Sequence, residues 1–210
     1  MQRICAVFLL ASLMIVCAVS SPAATIYTGR AAWESQVSGI TTQDFNALEG
    51  NEYQTLTLGN VTFDVPQVSS SDALWVSIPN DYAPIGIALV GNFGMTTIRG
   101  TFASPVTAVG ADVTNLLLSD SIAINVEING TWLNWSVPFT YPDAVFWGIV
   151  AGPGESIDGI TFSPTSGGFV GIDNFSYGAG EGVGYIPEPA TFGLMGFALL
   201  GLGAIRKFRS

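Results

Sequence analysis

Ser121-Ile122-Ala123-Ile124-Asn125-Val126-Glu127-Ile128-Asn129-Gly130-Thr131-Trp132-Leu133-Asn134-Trp135-Ser136-Val137 decides the fold. Ile122, Ile124, Val126 and Ile128 alternate with Ala123, Asn125 and Glu127, and a period of two is that of a strand with one buried and one exposed face. Asn129-Gly130 then supplies the two positive-φ residues that a type I′ hairpin turn requires. Pairing back across that turn sets Val126 opposite Leu133, Ile124 opposite Trp135 and Ile122 opposite Val137, which makes one continuous apolar face. The other face sets Glu127 beside Trp132 and Asn125 beside Asn134. It is directed towards solvent or towards a ligand.

Outward from the hairpin, short β-prone runs divided by Gly, Pro, Asn and Asp occupy 42–45, 53–58, 61–65, 74–78, 85–90, 96–102, 106–113, 145–150, 160–162 and 169–177, after a short run at 26–28. The one soluble helix expected covers 30–37, with Trp33 and Val37 on one face and Gly39 ending it in the left-handed region. Residues 178–185 are Gly-rich and without periodicity, the composition of a flexible linker. Many short strands with a single short N-terminal helix predict an all-β fold, an antiparallel two-sheet sandwich of jelly-roll type, over 24–177.

Both ends of the chain carry addresses. Arg3, an apolar run over 4–19 and the small residues Ser20, Ser21, Ala23 and Ala24 read as a signal peptide over 1–23, with Ala18-Val19-Ser20 and Ser21-Pro22-Ala23 as competing cleavage sites. At the other end stand Pro187-Glu188-Pro189, an apolar run over 190–205, and then Arg206, Lys207 and Arg209. The prolines hold the backbone extended, so a helix starts only after them. Sixteen apolar residues make roughly 24 Å of helix, a marginal transmembrane span. The positive-inside rule leaves the basic cluster in the cytoplasm and everything before Pro187 outside.

Pro-Glu-Pro, a Gly-rich apolar helix and a terminal basic cluster, in that order, resemble the PEP-CTERM sorting signal of Gram-negative bacteria, here over 186–210. The resemblance implies an exported protein that is held in the inner membrane by its C-terminal helix, processed by an exosortase, and delivered to the cell surface or the extracellular matrix. It also implies an association with exopolysaccharide or with other surface proteins. Gly29-Arg30-Ala31-Ala32-Trp33, Asp44-Phe45-Asn46-Ala47-Leu48-Glu49-Gly50, Gly59-Asn60-Val61-Thr62-Phe63, Phe102-Ala103-Ser104-Pro105-Val106-Thr107-Ala108-Val109-Gly110 and Gly171-Ile172-Asp173-Asn174-Phe175-Ser176 resemble the body common to many such proteins.

Composition narrows the chemistry. Cys5 and Cys17 both fall in the signal peptide and there is no histidine, which excludes disulfides, thiolate catalysis, Cys-zinc sites and imidazole bases from the exported domain. Sixteen acids against six bases give a net charge of −10, and Arg30 and Arg99 are the only bases between the two targeting segments. Such a domain repels nucleic acid and bare anionic polymers.

Three chemistries are candidates. Asp44, Asn46 and Glu49 near the opening strand and Asp173 in the closing strand offer oxygens to a structural calcium, the one cofactor expected, because in jelly rolls those strands often lie side by side. Carbohydrate-binding jelly rolls, to which the resemblance extends, in some cases carry calcium at this end. Trp132, beside Glu127, Asn125 and Asn134, has the make-up of a sugar platform, an indole for a pyranose face with amides and a carboxylate for its hydroxyls, and Trp75 is a second aromatic candidate. A glycosidase needs two opposed carboxylates, and no local motif selects a pair. The expectation is therefore a non-catalytic structural or adhesive surface protein, with a calcium-dependent carbohydrate-binding module as the alternative and a glycoside hydrolase third.

Overall fold

The hairpin forms in the register that its turn dictates. In a computed structural model, which describes residues 24–66, 73–78, 86–91, 96–116, 119–138, 140 and 143–180, Val126 pairs with Leu133, Ile124 with Trp135 and Ile122 with Val137. Asn129 and Gly130 at the turn have φ of 49° and 74°. The signal peptide and the sorting helix expected from the sequence lie outside the described residues, and no described helix is long and apolar enough to cross a membrane.

The elements in chain order are β1 (Thr25–Tyr27), α1 (Arg30–Glu34), β2 (Val37–Gln43), a 3-10 turn (Asn46–Leu48), β3 (Glu52–Tyr53), β4 (Thr55–Leu58), β5 (Val61–Asp64), β6 (Leu74–Val76), β7 (Leu89–Gly91), β8 (Ile98–Val106), β9 (Ala108–Asn115), β10 (Ser121–Ile128), β11 (Thr131–Pro138), β12 (Val145–Val150), β13 (Ile157–Pro164) and β14 (Val170–Gly180). They make two antiparallel sheets, as expected. One has eight strands ordered β1-β12-β9-β14-β7-β6-β3, with β2 also paired to β14; the other has six, ordered β11-β10-β13-β8-β5-β4. The core lies between them. Ile122, Ile124, Val126, Phe63, Ile98, Ile160 and Phe162 point inward from the six-stranded sheet, and Val109, Ala111, Val113, Ile149, Ile172 and Phe175 from the other.

Strand β14 contains a change of parity. Val170 and Ile172 face the core at even positions and Phe175 and Tyr177 at odd ones, so one extra residue must be absorbed between them. The pairing of β14 with β9 shifts between Asp173 and Ser176, and Asn174 there takes φ of 47°. Past the bulge, the Phe175 ring meets those of Phe63, Phe102 and Phe162 at 5.0, 6.2 and 6.5 Å between centroids.

The sequence reading differs from the structure at several places, among them the run expected at 42–45, which is only the end of β2 (Val37–Gln43), with Phe45 outside it in the left-handed region at φ 56°. The helix ends at Glu34 and Val37 already starts β2, with Gly39 (φ 61°) inside that strand rather than at a helix end. The run expected at 53–58 is divided at Gln54, because Tyr53 ends a strand of the eight-stranded sheet and Thr55 begins one of the six-stranded sheet. Finally, β14 runs to Gly180, three residues into the stretch expected to be linker. A Cβ on Gly178 would lie 2.7 Å from Val37 Cγ1. Glycine there serves close strand packing, and flexibility is not its role.

Helix α1 docks through Trp33 on the outer side of the eight-stranded sheet. Its indole is fully buried over the paired Gly110 and Gly148, and Nε1 donates to the Ile149 carbonyl at 3.2 Å. A Cβ on Gly148 would meet Trp33 Cδ1 at 2.6 Å and Phe146 Cζ at 2.9 Å. Replacing Gly148→Ala is expected to force the helix off its seat and to cost about 1–3 kcal/mol of overpacking strain, read as a lower urea midpoint with an unchanged slope. An unchanged midpoint would show that the helix contributes nothing to the fold.

Candidate functional site

The pleat that sends Ile122, Ile124 and Val126 inward turns their neighbours outward, and the same holds on all six strands of that sheet. Register aligns these outward residues into rows across the strands. One row reads Asn134, Asn125, Thr161, Arg99, Asp64, Thr55 from β11 to β4. The next reads Trp132, Glu127, Gly159, Thr101, Thr62, Thr57.

The first row is a chain of side-chain bonds. Asn134 Nδ2 donates to Asn125 Oδ1 at 2.7 Å, and Asn125 Nδ2 donates to Thr161 Oγ1 at 2.9 Å. Arg99 grips Asp64 with two bonds, Nε to Oδ1 at 2.8 Å and an Nη to Oδ2 at 2.6 Å. Such a bidentate, charge-assisted pair fixes both groups and cancels both charges. Beyond it, the Thr57 and Thr62 hydroxyls are 3.0 Å apart.

The second row carries the platform. Trp132 is 46% exposed, yet Gly159 two strands away is buried, because the indole and Glu127 lie over it. A Cβ on Gly159 would stand 3.3 Å from Trp132 Cη2 and 3.4 Å from Glu127 Oε2. The missing side chain thus leaves room for the tip of the indole above Gly159, while nearly half of the Trp132 side chain stays exposed. Among the described residues Glu127 makes no ion pair. The structure therefore brings Trp132, Glu127, Asn125 and Asn134 together on one face, with Arg99, Asp64, Thr161, Thr101 and Gly159 added to the residues that the sequence singled out. Gly159 was unreadable as a site residue, since its part is to be absent. Trp75 is not with them: it lies on β6 in the other sheet, packed with Ala88, Val90 and Leu116.

The four residues considered for calcium are placed as follows. Asp44 Oδ1 accepts from the Asn46 backbone N–H at 3.2 Å, which closes a turn, and Glu49 follows the 3-10 turn, where its carbonyl accepts from Asn51 Nδ2. Asp173 sits at the β14 bulge, only 8% exposed. Its neighbours are Asn174, whose N–H donates to Oδ1 at 2.6 Å, and Asp112, whose Oδ2 accepts from Asn174 Nδ2 at 2.9 Å. Arg30 completes the cluster, 3.1 Å from Asp112 Oδ2 and bonded to the Asn174 carbonyl and the Ser176 hydroxyl. No three or more His, Cys, Asp or Glu residues among those described are grouped so as to hold a metal. Burial raises the Asp173 carboxyl to about 6, opposed by the Asn174 N–H and reinforced by the negative charges of Asp112 and Asp44.

Comparison with known proteins bears on the C-terminal end. Residues 186–207 match the PEP-CTERM protein-sorting motif. The chain carries the sorting signal of an exosortase substrate, which implies a secreted protein with a C-terminal membrane-anchoring signal and processing by an exosortase. No curated protein matches the sequence. Among solved structures the chain is similar to a variant of a family 29 carbohydrate-binding module, at 14% identity over 68% of this chain and 94% of that one, with a TM-score of 0.43. It is also similar to a family 29 carbohydrate-binding module from Piromyces equi, at 10% identity over 75% of this chain and 91% of that one, with a TM-score of 0.34.

The bulge yields a pH dependence. A carboxyl whose folded pKa is raised to about 6 adds stability while protonated, fully so below its unfolded value near 4, and loses it as pH rises through 6. Asp173→Asn is expected to stabilise the protein more at pH 7.5 than at pH 4, by about 1–3 kcal/mol, in urea melts at the two pH values. An equal effect at both would mean that the carboxyl titrates normally in the fold.

Proposed function

We propose that this chain is a non-catalytic surface or matrix protein that adheres to extracellular polysaccharide through the outer face of its six-stranded sheet. The observation that carries this reading is the exposed Trp132 indole reaching over Gly159, beside a carboxylate without an ion pair among the described residues and a hydrogen-bonded amide row. An aromatic face ringed by donors and acceptors suits a sugar ring, whose C–H face is apolar and whose rim is hydroxyl. In this reading residues 1–23 direct export, the apolar run over 190–205 holds the chain in the inner membrane, and an exosortase releases it to the surface.

The adhesive role is tested by co-sedimentation of the chain with exopolysaccharide from its own producing organism. Trp132→Ala is expected to lower the retained fraction about tenfold while shifting the melting temperature by no more than a few degrees, since the side chain is half outside the fold. Undiminished retention would remove Trp132 from the site and the reading with it. The sorting role has a separate readout. With Pro187→Ala and Pro189→Ala together, the protein is expected to stay uncut in the membrane fraction, and unchanged release would reduce the signal to a plain anchor.

A further inference from the structure

The face discriminates by charge, and this deepens the adhesive reading on which it rests. Only two basic residues lie between the targeting segments. Arg30 is on the outer side of the opposite sheet, over the Phe146 ring at 4.7 Å and engaged with Asp112. Arg99 is on the ligand face, but both its Nε and an Nη are spent on Asp64. What the face leaves uncompensated is Glu127, next to the indole. A uronate, sulfate or phosphate placed on Trp132 would meet that carboxylate in a domain already rich in acids, and would find no uncommitted cation to receive it. A hydroxyl meets the opposite situation, since Glu127 accepts from it and the amides of Asn134 and Asn125 both donate and accept.

The rows also have a direction. They run across the six strands, and at about 4.8 Å between neighbours they extend about 24 Å. Hydroxyl and amide side chains continue along that line, with Thr161, Thr101, Thr62 and Thr57 past the platform. That is the length of an oligosaccharide and far exceeds one sugar.

We propose that the ligand is an uncharged polysaccharide that lies across the strands of the six-stranded sheet, one ring stacked on Trp132 and its hydroxyls accepted by Glu127 and the Asn134–Asn125–Thr161 row, without a bridging metal ion. Binding then needs no calcium, and it is insensitive to salt because no net charge is exchanged.

The experiment is affinity electrophoresis of the full chain, produced in an exporting host and purified in detergent, through gels containing hydroxyethyl cellulose, galactomannan or polygalacturonate. Each gel is run with calcium and with EDTA. The expected result is retardation in at least one neutral gel, equal in EDTA, with none in polygalacturonate. Thr101→Leu, which replaces a hydroxyl on the line of the chain but away from Trp132 by a larger apolar side chain that can neither donate nor accept, is expected to lower that retardation about tenfold. Glu127→Gln tests the acceptor: it is expected to weaken neutral binding without creating retardation in polygalacturonate. Retardation in polygalacturonate alone, abolished by EDTA, would overturn the inference and leave the adhesive reading standing with an acidic, metal-bridged ligand. Retardation in none of the gels, with co-sedimentation on native exopolysaccharide intact, would overturn the neutral class. Loss of both would overturn the adhesive reading itself. Retardation in a neutral gel untouched by Thr101→Leu would overturn the direction of the ligand across the strands.

Discussion

The change of parity in β14 is the constraint from which the rest of the sandwich follows. Val170 and Ile172 have to face the same core as Phe175 and Tyr177, although an even number of residues, Asp173 and Asn174, separates the two pairs. A regular strand would turn one pair to water. Asn174 absorbs the extra residue in the left-handed region, where its short polar side chain is tolerated better than most. The polar groups this displaces are satisfied locally: the Asn174 carbonyl accepts from Arg30 and from the Ser176 hydroxyl, and its side chain donates to Asp112 and Asp173. Asp173 is buried in the process, and its raised proton affinity is the electrostatic cost of the bulge. Arg30 offsets part of that cost. The cluster of Asp173, Asn174 and Asp112 is thus the apparatus of a backbone irregularity, with the Arg30 guanidinium as its counter-charge.

Once Phe175 is seated among Phe63, Phe102 and Phe162, the opposite face of their own sheet is determined. Phe63, Phe102 and Phe162 belong to β5, β8 and β13, so the pleat directs Thr62, Asp64, Arg99, Thr101 and Thr161 outward. The polar rows are the other half of the pleat that makes the core. A slip of one residue on any of these strands would bury Arg99 or expose an aromatic ring, which is why the register of the candidate site is as firmly held as that of the core. The polar face therefore needs no separate stabilisation, and a rigid face loses little entropy on any binding.

How much of this the sequence disclosed depends on the range of the interaction. The hairpin was legible because alternation and an Asn-Gly turn act within a few residues, and they set the pairing of Glu127 with Trp132 and of Asn125 with Asn134. The docking of Trp33 was visible as an apolar helical face, but not the paired glycines beneath it. The break at Gln54 was hidden, because nothing in Tyr53 to Leu58 distinguishes one strand from two that enter different sheets. Gly178 and Gly180 read as a linker because composition cannot tell a glycine chosen for freedom from one chosen for contact. The ion pair of Arg99 with Asp64 joins residues thirty-five apart, and Arg30 meets Asn174 at a separation of 144. Only the topology brings such pairs together, and with them the distinction between a charged and a neutralised face.

The two layers also carry different features. The described chain ends at Gly180 in β14, a strand of the eight-stranded sheet, and continues in sequence towards the sorting motif at 186–207. Helix α1 and the acid cluster with its guanidinium occupy the outer side of that same sheet. The rows with Trp132 are on the outer side of the other sheet, so the core separates them from the layer that bears the tail. The proposed adhesion through the six-stranded sheet thus uses the layer that does not contain β14.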